Sequence, residues 1–114
     1  MRRIYISGPM TGKPDLNFPA FNAEAVRLRA LGYEVANPVE LNPDPAALWH
    51  DCMKNDIKAL LDCDALALLP GWEDSHGAHL ELHIAHRVGI KVLTANEITG
   101  AANDGTRGVR EGPD

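Results

Sequence analysis

Four short runs, Arg3 to Ser7, Tyr33 to Ala36, Ala65 to Leu69 and Lys91 to Thr94, carry β-branched, aromatic or uninterrupted apolar residues, and a segment with helical periodicity separates each from the next. Strands that alternate with helices in this way pair in parallel, because each helix supplies the crossover that a parallel neighbour requires. The third run, ALALL, is apolar at every position, as a strand covered on both faces should be. The alternation predicts an α/β domain with a four- to five-stranded parallel sheet, helices on both faces and right-handed connections.

The first helix is expected over Phe18 to Leu31, where Phe21, Ala25 and Leu28 recur at helical spacing with Val26 and Leu31, Asn17 as cap, Pro19 in the first turn and Gly32 at the stop. Asn37 to Pro45 reads as a loop containing three prolines. A second helix is expected from Ala46 to about Asp62, capped by Asp44, with Pro45 at its first position and Trp49, Met53, Ile57 and Leu60 buried. A third begins near Ser75. After Ile98 the chain holds four glycines and hardly any large apolar residue, so residues 1–98 are expected to form one domain and residues 99–114 a flexible tail. The fold class implied is a single-domain, three-layer sandwich of the Rossmann-like or flavodoxin-like kind.

The third helix carries the sharpest chemical signal. At about 100° per residue, Ala78, Leu80, Ile84, Ala85 and Val88 form an apolar arc, and Glu81 falls inside it. A carboxylate stands where a leucine would pack. An ionised acid in such a place must be paired, protonated or at work, because desolvation without a partner is costly. Capping does not explain it, since with Ser75 as cap the third helical position is Ala78. A structural ion pair with Arg27 or Arg29 is the competing explanation.

The histidines His76, His79, His83 and His86 collect on the opposite side of this helix. Three of them recur at i, i+4 and i+7, but HLELH is not HExxH: Glu81 points about 200° away from His79 and cannot serve a metal held there. No metal site and no cofactor are expected, and the histidine face reads as solvated or subunit-contacting.

In an open parallel sheet, ligands bind beyond the carboxyl ends of the strands. Three loops converge there: Ser7 to Asn17, Asn37 to Pro45 and Pro70 to Gly77. Gly8 and Gly12 permit close backbone approach, and the helix opened by Ser75 and Gly77 presents free amides that favour an anion such as phosphate. Trp72 is a candidate wall for a planar base. The glycine loop lacks the GK[ST] of a P-loop and the GxGxxG of a dinucleotide site.

Several function classes drop out on composition. A net charge of -5 with scattered basic residues argues against a nucleic acid polymer as partner. No apolar run approaches the roughly 18 residues of a membrane span, and the first residues lack the apolar core of a signal peptide, so a cytoplasmic protein without membrane contact is expected. Cys52 and Cys63 lie eleven positions apart with no CxxC pairing, which reads as ordinary core or near-core thiols.

Together, YISGPMTG at the first strand, NDIKALLDCDALALL through the third, and SHGAHLELHIAHRVGIKV resemble the nucleoside 2-deoxyribosyltransferase-like family, which includes the 2′-deoxynucleoside 5′-monophosphate N-glycosidases. The resemblance spans about Ile4 to Leu93. It implies that Glu81 is the nucleophile at the anomeric carbon, that Tyr5 positions it, and that Asp56 helps the base depart. Ser7, Gly8, Pro9, Met10 and Gly12 from the first loop, with Trp72, Ser75 and Gly77 from the third, would then bind a small nucleoside or nucleoside 5′-monophosphate. Ser75 matches a phosphate-binding serine of the monophosphate enzymes, which favours the nucleotide. A homo-oligomer is also implied, although the active-site contribution that a neighbouring subunit makes in the transferases is not recognisable in the glycine-rich tail. Two other functions stay open: an inactive nucleotide-binding module, and an oligomeric interaction module that uses the histidine face.

Overall fold

The computed structural model describes residues 1–102. Four strands, β1 (Arg3–Ser7), β2 (Glu34–Ala36), β3 (Ala65–Leu68) and β4 (Lys91–Thr94), form one sheet in the order β2-β1-β3-β4, every pair parallel. Tyr5 sits between Ala36 of β2 and Leu66 of β3, so β1 is central. The helices are α1 (Phe18–Ala30), the single turn α2 (Pro38–Leu41), α3 (Trp49–Leu61) and α4 (His76–Arg87). This is the flavodoxin-like arrangement.

Alternation along the strands builds two cores. Ile4 and Ile6 of β1 with Ala65 and Ala67 of β3 face Phe21, Ala25 and Leu28 of α1, and Ala95 and Ile98 close this layer. On the other face Tyr5, Leu66 and Leu68 meet Leu60 of α3 and Ala85 of α4. Ser7 shares the Tyr5 face by the same period of two, which aims both hydroxyls at α4. Chain direction from β1 leads first to β2 on one side and later to β3 on the other, so the switch point lies between the carboxyl ends of β1 and β3.

Several expected features differ. α3 begins at Trp49 with Leu48 as cap residue, three positions later than Ala46. Asp44 instead accepts from the Ala46 amide at 2.9 Å in a turn ahead of the helix. Trp49 therefore stands in the first turn and is 48% exposed, while Met53 and Leu60 are buried as expected. Val26 of α1 is exposed. Asn17 adopts a left-handed conformation and makes no side-chain cap; its amide donates to Pro9 O at 2.9 Å and ties the first loop back on itself. The turn α2 interrupts the expected loop, opened by Asn37, whose side chain accepts from the Val39 amide at 3.1 Å, with Pro38 at the first position. Beyond Ile98, Tyr33 Oη donates to Gly100 O at 3.1 Å and the Ala102 amide donates to Leu31 O at 2.8 Å. The rest of the expected tail, residues 103–114, lies outside the described residues.

Candidate active site

Helix α4 rests on the sheet through Ala78, Glu81 and Ala85, the three buried residues of its inner stripe. Two small side chains bring the helix close, and the longer acid between them reaches the carboxyl end of β1. Glu81 is 4% exposed. Its Oε2 accepts from Tyr5 Oη at 2.6 Å and its Oε1 from Ser7 Oγ at 2.6 Å. No arginine is involved, because Arg27 pairs with Glu24 and Arg29 with Glu40. The ion-pair explanation of Glu81 fails on those partners. The stripe is also narrower than the sequence suggests: Leu80, one residue and about 100° from Glu81, is exposed, as is Val88.

Burial pushes the Glu81 carboxyl up to about 7, against the two hydroxyl donors, and the nearby Asp56 charge adds to the rise. Burial, followed by the charges of Glu81 and Asp56, holds the Tyr5 phenol well above its ordinary range, so it stays a neutral donor. Asp56, on the inner side of α3 and 7% exposed, is pushed up to about 6 by burial, opposed by the Asn42 hydrogen bond and the Tyr5 hydroxyl. Asn42 donates to Asp56 Oδ1 at 2.6 Å and accepts from Asn55 Nδ2 at 2.9 Å. Two buried acids that titrate near neutrality on neighbouring elements are the arrangement that acid–base and nucleophilic chemistry requires.

Both acids open onto one cavity of about 730 Å³ at the switch point. Ser7, Gly8, Pro9 and Met10 border it from the first loop, and Ser75 and Gly77 from the start of α4. Gly8 is there for space: a Cβ would stand 2.8 Å from the Leu69 Cβ. Ser75 caps α4 by accepting from the Ala78 amide at 3.1 Å, and its hydroxyl donates to Gly8 O at 3.4 Å.

The family model for a domain of unknown function, DUF4406, matches residues 2–94, which include every residue of this site. The chain belongs to the DUF4406 family. No curated protein matches the sequence. Among solved structures, the DUF4406 domain is similar to a 2-deoxyribosyltransferase from the psychrotolerant bacterium Bacillus psychrosaccharolyticus, at 23% identity and a TM-score of 0.61, over 79% of this chain and 69% of that one. It is likewise similar to a 2-deoxyribosyltransferase from Leishmania mexicana, at 20% identity and a TM-score of 0.65, over 92% of this chain and 76% of that one. At these identities the likeness establishes a shared fold.

Two residues expected at the DUF4406 site lie elsewhere. Trp72 packs against the second core and its ring sits 5.4 Å from that of His79, away from the cavity around Glu81. Gly12 does not border the cavity; its φ of +83° serves the turn that follows Met10. Sequence reasoning missed Asn42, Trp49 and Asp74, which do border it. The Asn37-Pro38 pair signals the turn that delivers Asn42. Nothing in the spacing signals its bond to Asp56, fourteen residues away. His76, His79, His83 and His86 are all exposed, and among the described residues no three His, Cys, Asp or Glu side chains are placed to hold a metal. No helix of the described residues is long and apolar enough to cross a membrane.

Proposed function

We propose that this DUF4406 protein is an enzyme that cleaves the N-glycosidic bond of a small (deoxy)nucleoside or nucleoside 5′-monophosphate, or transfers its sugar, through Glu81. The observation that carries this is the buried Glu81 carboxylate, held by Tyr5 and Ser7 on the cavity at the switch point. The fold shared with two 2-deoxyribosyltransferases supports it.

In this mechanism one oxygen of the ionised Glu81 attacks the anomeric carbon, and the bond to the base breaks with its electron pair going to the base nitrogen. Asp56, protonated, gives that nitrogen its proton as the base leaves. Tyr5 and Ser7 keep the carboxylate in one orientation, so that it meets the sugar without rotamer search. A water or an acceptor base then attacks the same carbon, loses its proton to Asp56, and releases Glu81 as a carboxylate. A folded domain that only bound a nucleotide would gain nothing from desolvating an acid this far.

The test is a screen of deoxynucleosides and their 5′-monophosphates for free base, with and without an added acceptor base. Base release without acceptor identifies hydrolysis, and exchange only with acceptor identifies transfer. Release from none of them contradicts an enzyme of this class and leaves the binding module.

A further inference from the structure

Asp56 borders the cavity as the acid of the proposed reaction, and the side chain that holds it comes from another element. Asn42, which ends the turn α2, donates from Nδ2 to Asp56 Oδ1 at 2.6 Å and to Pro38 O at 3.2 Å. Its own Oδ1 accepts from Asn55 Nδ2 at 2.9 Å. These partners fix which way round the amide sits, because a flipped amide would set two oxygens face to face at Pro38 and two NH2 groups at Asn55. The Asn42 backbone amide also donates to Pro38 O, at 2.9 Å, so the side chain hangs from a pinned main chain. Both Nδ2 protons are therefore spent, one of them on Asp56 Oδ1. An oxygen that accepts so short a hydrogen bond is a poor place for the acid's own proton, and Oδ2 is left to carry it.

We infer that Asn42 is the positioning residue of the general acid: by occupying Asp56 Oδ1 it assigns the transferable proton to Oδ2 and holds that oxygen on the cavity. This rests on the glycosyl reading of the site. As the bond between the anomeric carbon and the base breaks, the proton on Oδ2 passes to the base nitrogen that takes the bonding pair, and the O–H pair stays on Oδ2. The charge that then develops on the carboxylate is met at Oδ1 by the Asn42 donor, in a bond that strengthens as the acid ionises. The same bond opposes the rise that burial imposes on Asp56, which stands at about 6. Tyr5 of β1, Glu81 of α4 and Cys52 of α3 are the titratable groups coupled to Asp56, and Asp44, Asp74 and His76 share the cavity lining. Glu40, the one ionisable side chain of α2, is paired with Arg29. Substitution of Asn42 leaves each of these in place.

The test reads Asp56 with and without substrate. Carboxyl-carbon NMR of aspartate-labelled protein follows Asp56 directly, and loss of the donor in Asn42→Ala should raise its midpoint by about one pH unit. Because Asp56 has the lower of the two values, the kinetic consequence depends on pH. For base release, kcat/KM should fall by about tenfold to a hundredfold at about pH 5, where Asp56 is protonated in both proteins, and about tenfold less at about pH 8, where more of the variant keeps its proton. In the Asp56→Asn background, which has no proton to position, Asn42→Ala should change the rate by less than about twofold. Should Asn42→Ala fail to fold, the isosteric Asn42→Asp, whose ionised carboxylate cannot donate, should lift the Asp56 midpoint at least as far. An unmoved midpoint, a loss equal at both pH values, as from a merely structural change, or a full further loss on top of Asp56→Asn overturns the inference while leaving glycosyl chemistry at Glu81 intact. Base release by no protein, wild type included, overturns the proposed function and the role of Asn42 together.

Discussion

Replacing Glu81 with Gln should make the protein more stable at neutral and alkaline pH, and the gain should grow with pH in a way fixed by the burial of the acid. In the folded chain the carboxyl titrates near 7 against an ordinary 4.5. A shift of that size corresponds to about 3 kcal/mol between the protonated and ionised forms. Because the folded value is raised, the native state binds the proton more tightly than the unfolded chain does. Stability from this group is fully present below about pH 4.5, falls as pH rises, and is gone above about pH 7. Gln has nearly the same volume, and of the Tyr5 and Ser7 hydroxyls one can keep donating to its amide oxygen while the other rotates to accept from its NH2, so the variant lacks this pH dependence without losing the packing. Urea unfolding of both proteins between about pH 4.5 and about pH 8 measures the difference. With a slope of about 1–3 kcal/mol per molar, the midpoint of the variant should gain about 1–3 M on wild type across that range. A gap that stays constant with pH would refute the claim that Glu81 is held desolvated in a titrating site.

Three further outcomes follow from the same geometry. Because Glu81 must be ionised and Asp56 protonated, and these titrate near 7 and near 6, kcat/KM should peak near pH 6.5 with only about one molecule in twenty in the reactive form; Asp56→Asn should abolish the alkaline fall in the profile, and a variant that keeps that fall contradicts the role of Asp56. Tyr5→Phe removes the donor to Glu81 Oε2 and raises the higher of the two values, so the alkaline limb near 7 should move to higher pH and the rate near pH 7 should drop by about fivefold to tenfold; an unmoved alkaline limb would show that Tyr5 does not tune the acid. Gly8→Ala would place a Cβ 2.8 Å from the Leu69 Cβ and should cost about 1–3 kcal/mol, read as a lower Tm, with an unchanged Tm showing that the loop yields freely.

How far the sequence reveals this molecule depends on whether a feature is periodic. The sheet and its order of elements follow from the alternation of short apolar strands with helical segments, a pattern that survives errors of a few residues at each boundary. Glu81 was legible for the same reason, since one acid on a helix face is visible at 100° per residue. The buried face itself is narrower than the periodicity suggests. Leu80 and Val88 are exposed because α4 approaches the sheet through alanines, and only a narrow stripe fits beneath a helix held that close. Trp49 is exposed rather than buried because Pro45, which has the signature of a helix start, belongs to a separate turn at Asp44 before α3 begins. Asn42 and Asp74 carry no periodic or motif signal. Their roles depend on where loops converge in space, which the strand order determines and local sequence does not. Ser75 shows the limit of matching a single position: in the structure its hydroxyl caps α4 by accepting from the Ala78 amide, a role that the match does not distinguish from ligand binding.

The most direct measurement of the central claim is to trap the sugar on the protein. A 2′-deoxy-2′-fluoroarabino nucleoside destabilises an oxocarbenium-like transition state and slows both steps, so that a glycosyl-enzyme formed in the first should accumulate. Digestion and mass spectrometry then locate the added mass. The account predicts the fluorosugar on the peptide containing Glu81 and, by fragmentation, on Glu81 itself. Release of base from this substrate with no adduct on Glu81, or with the adduct on another residue, would contradict it.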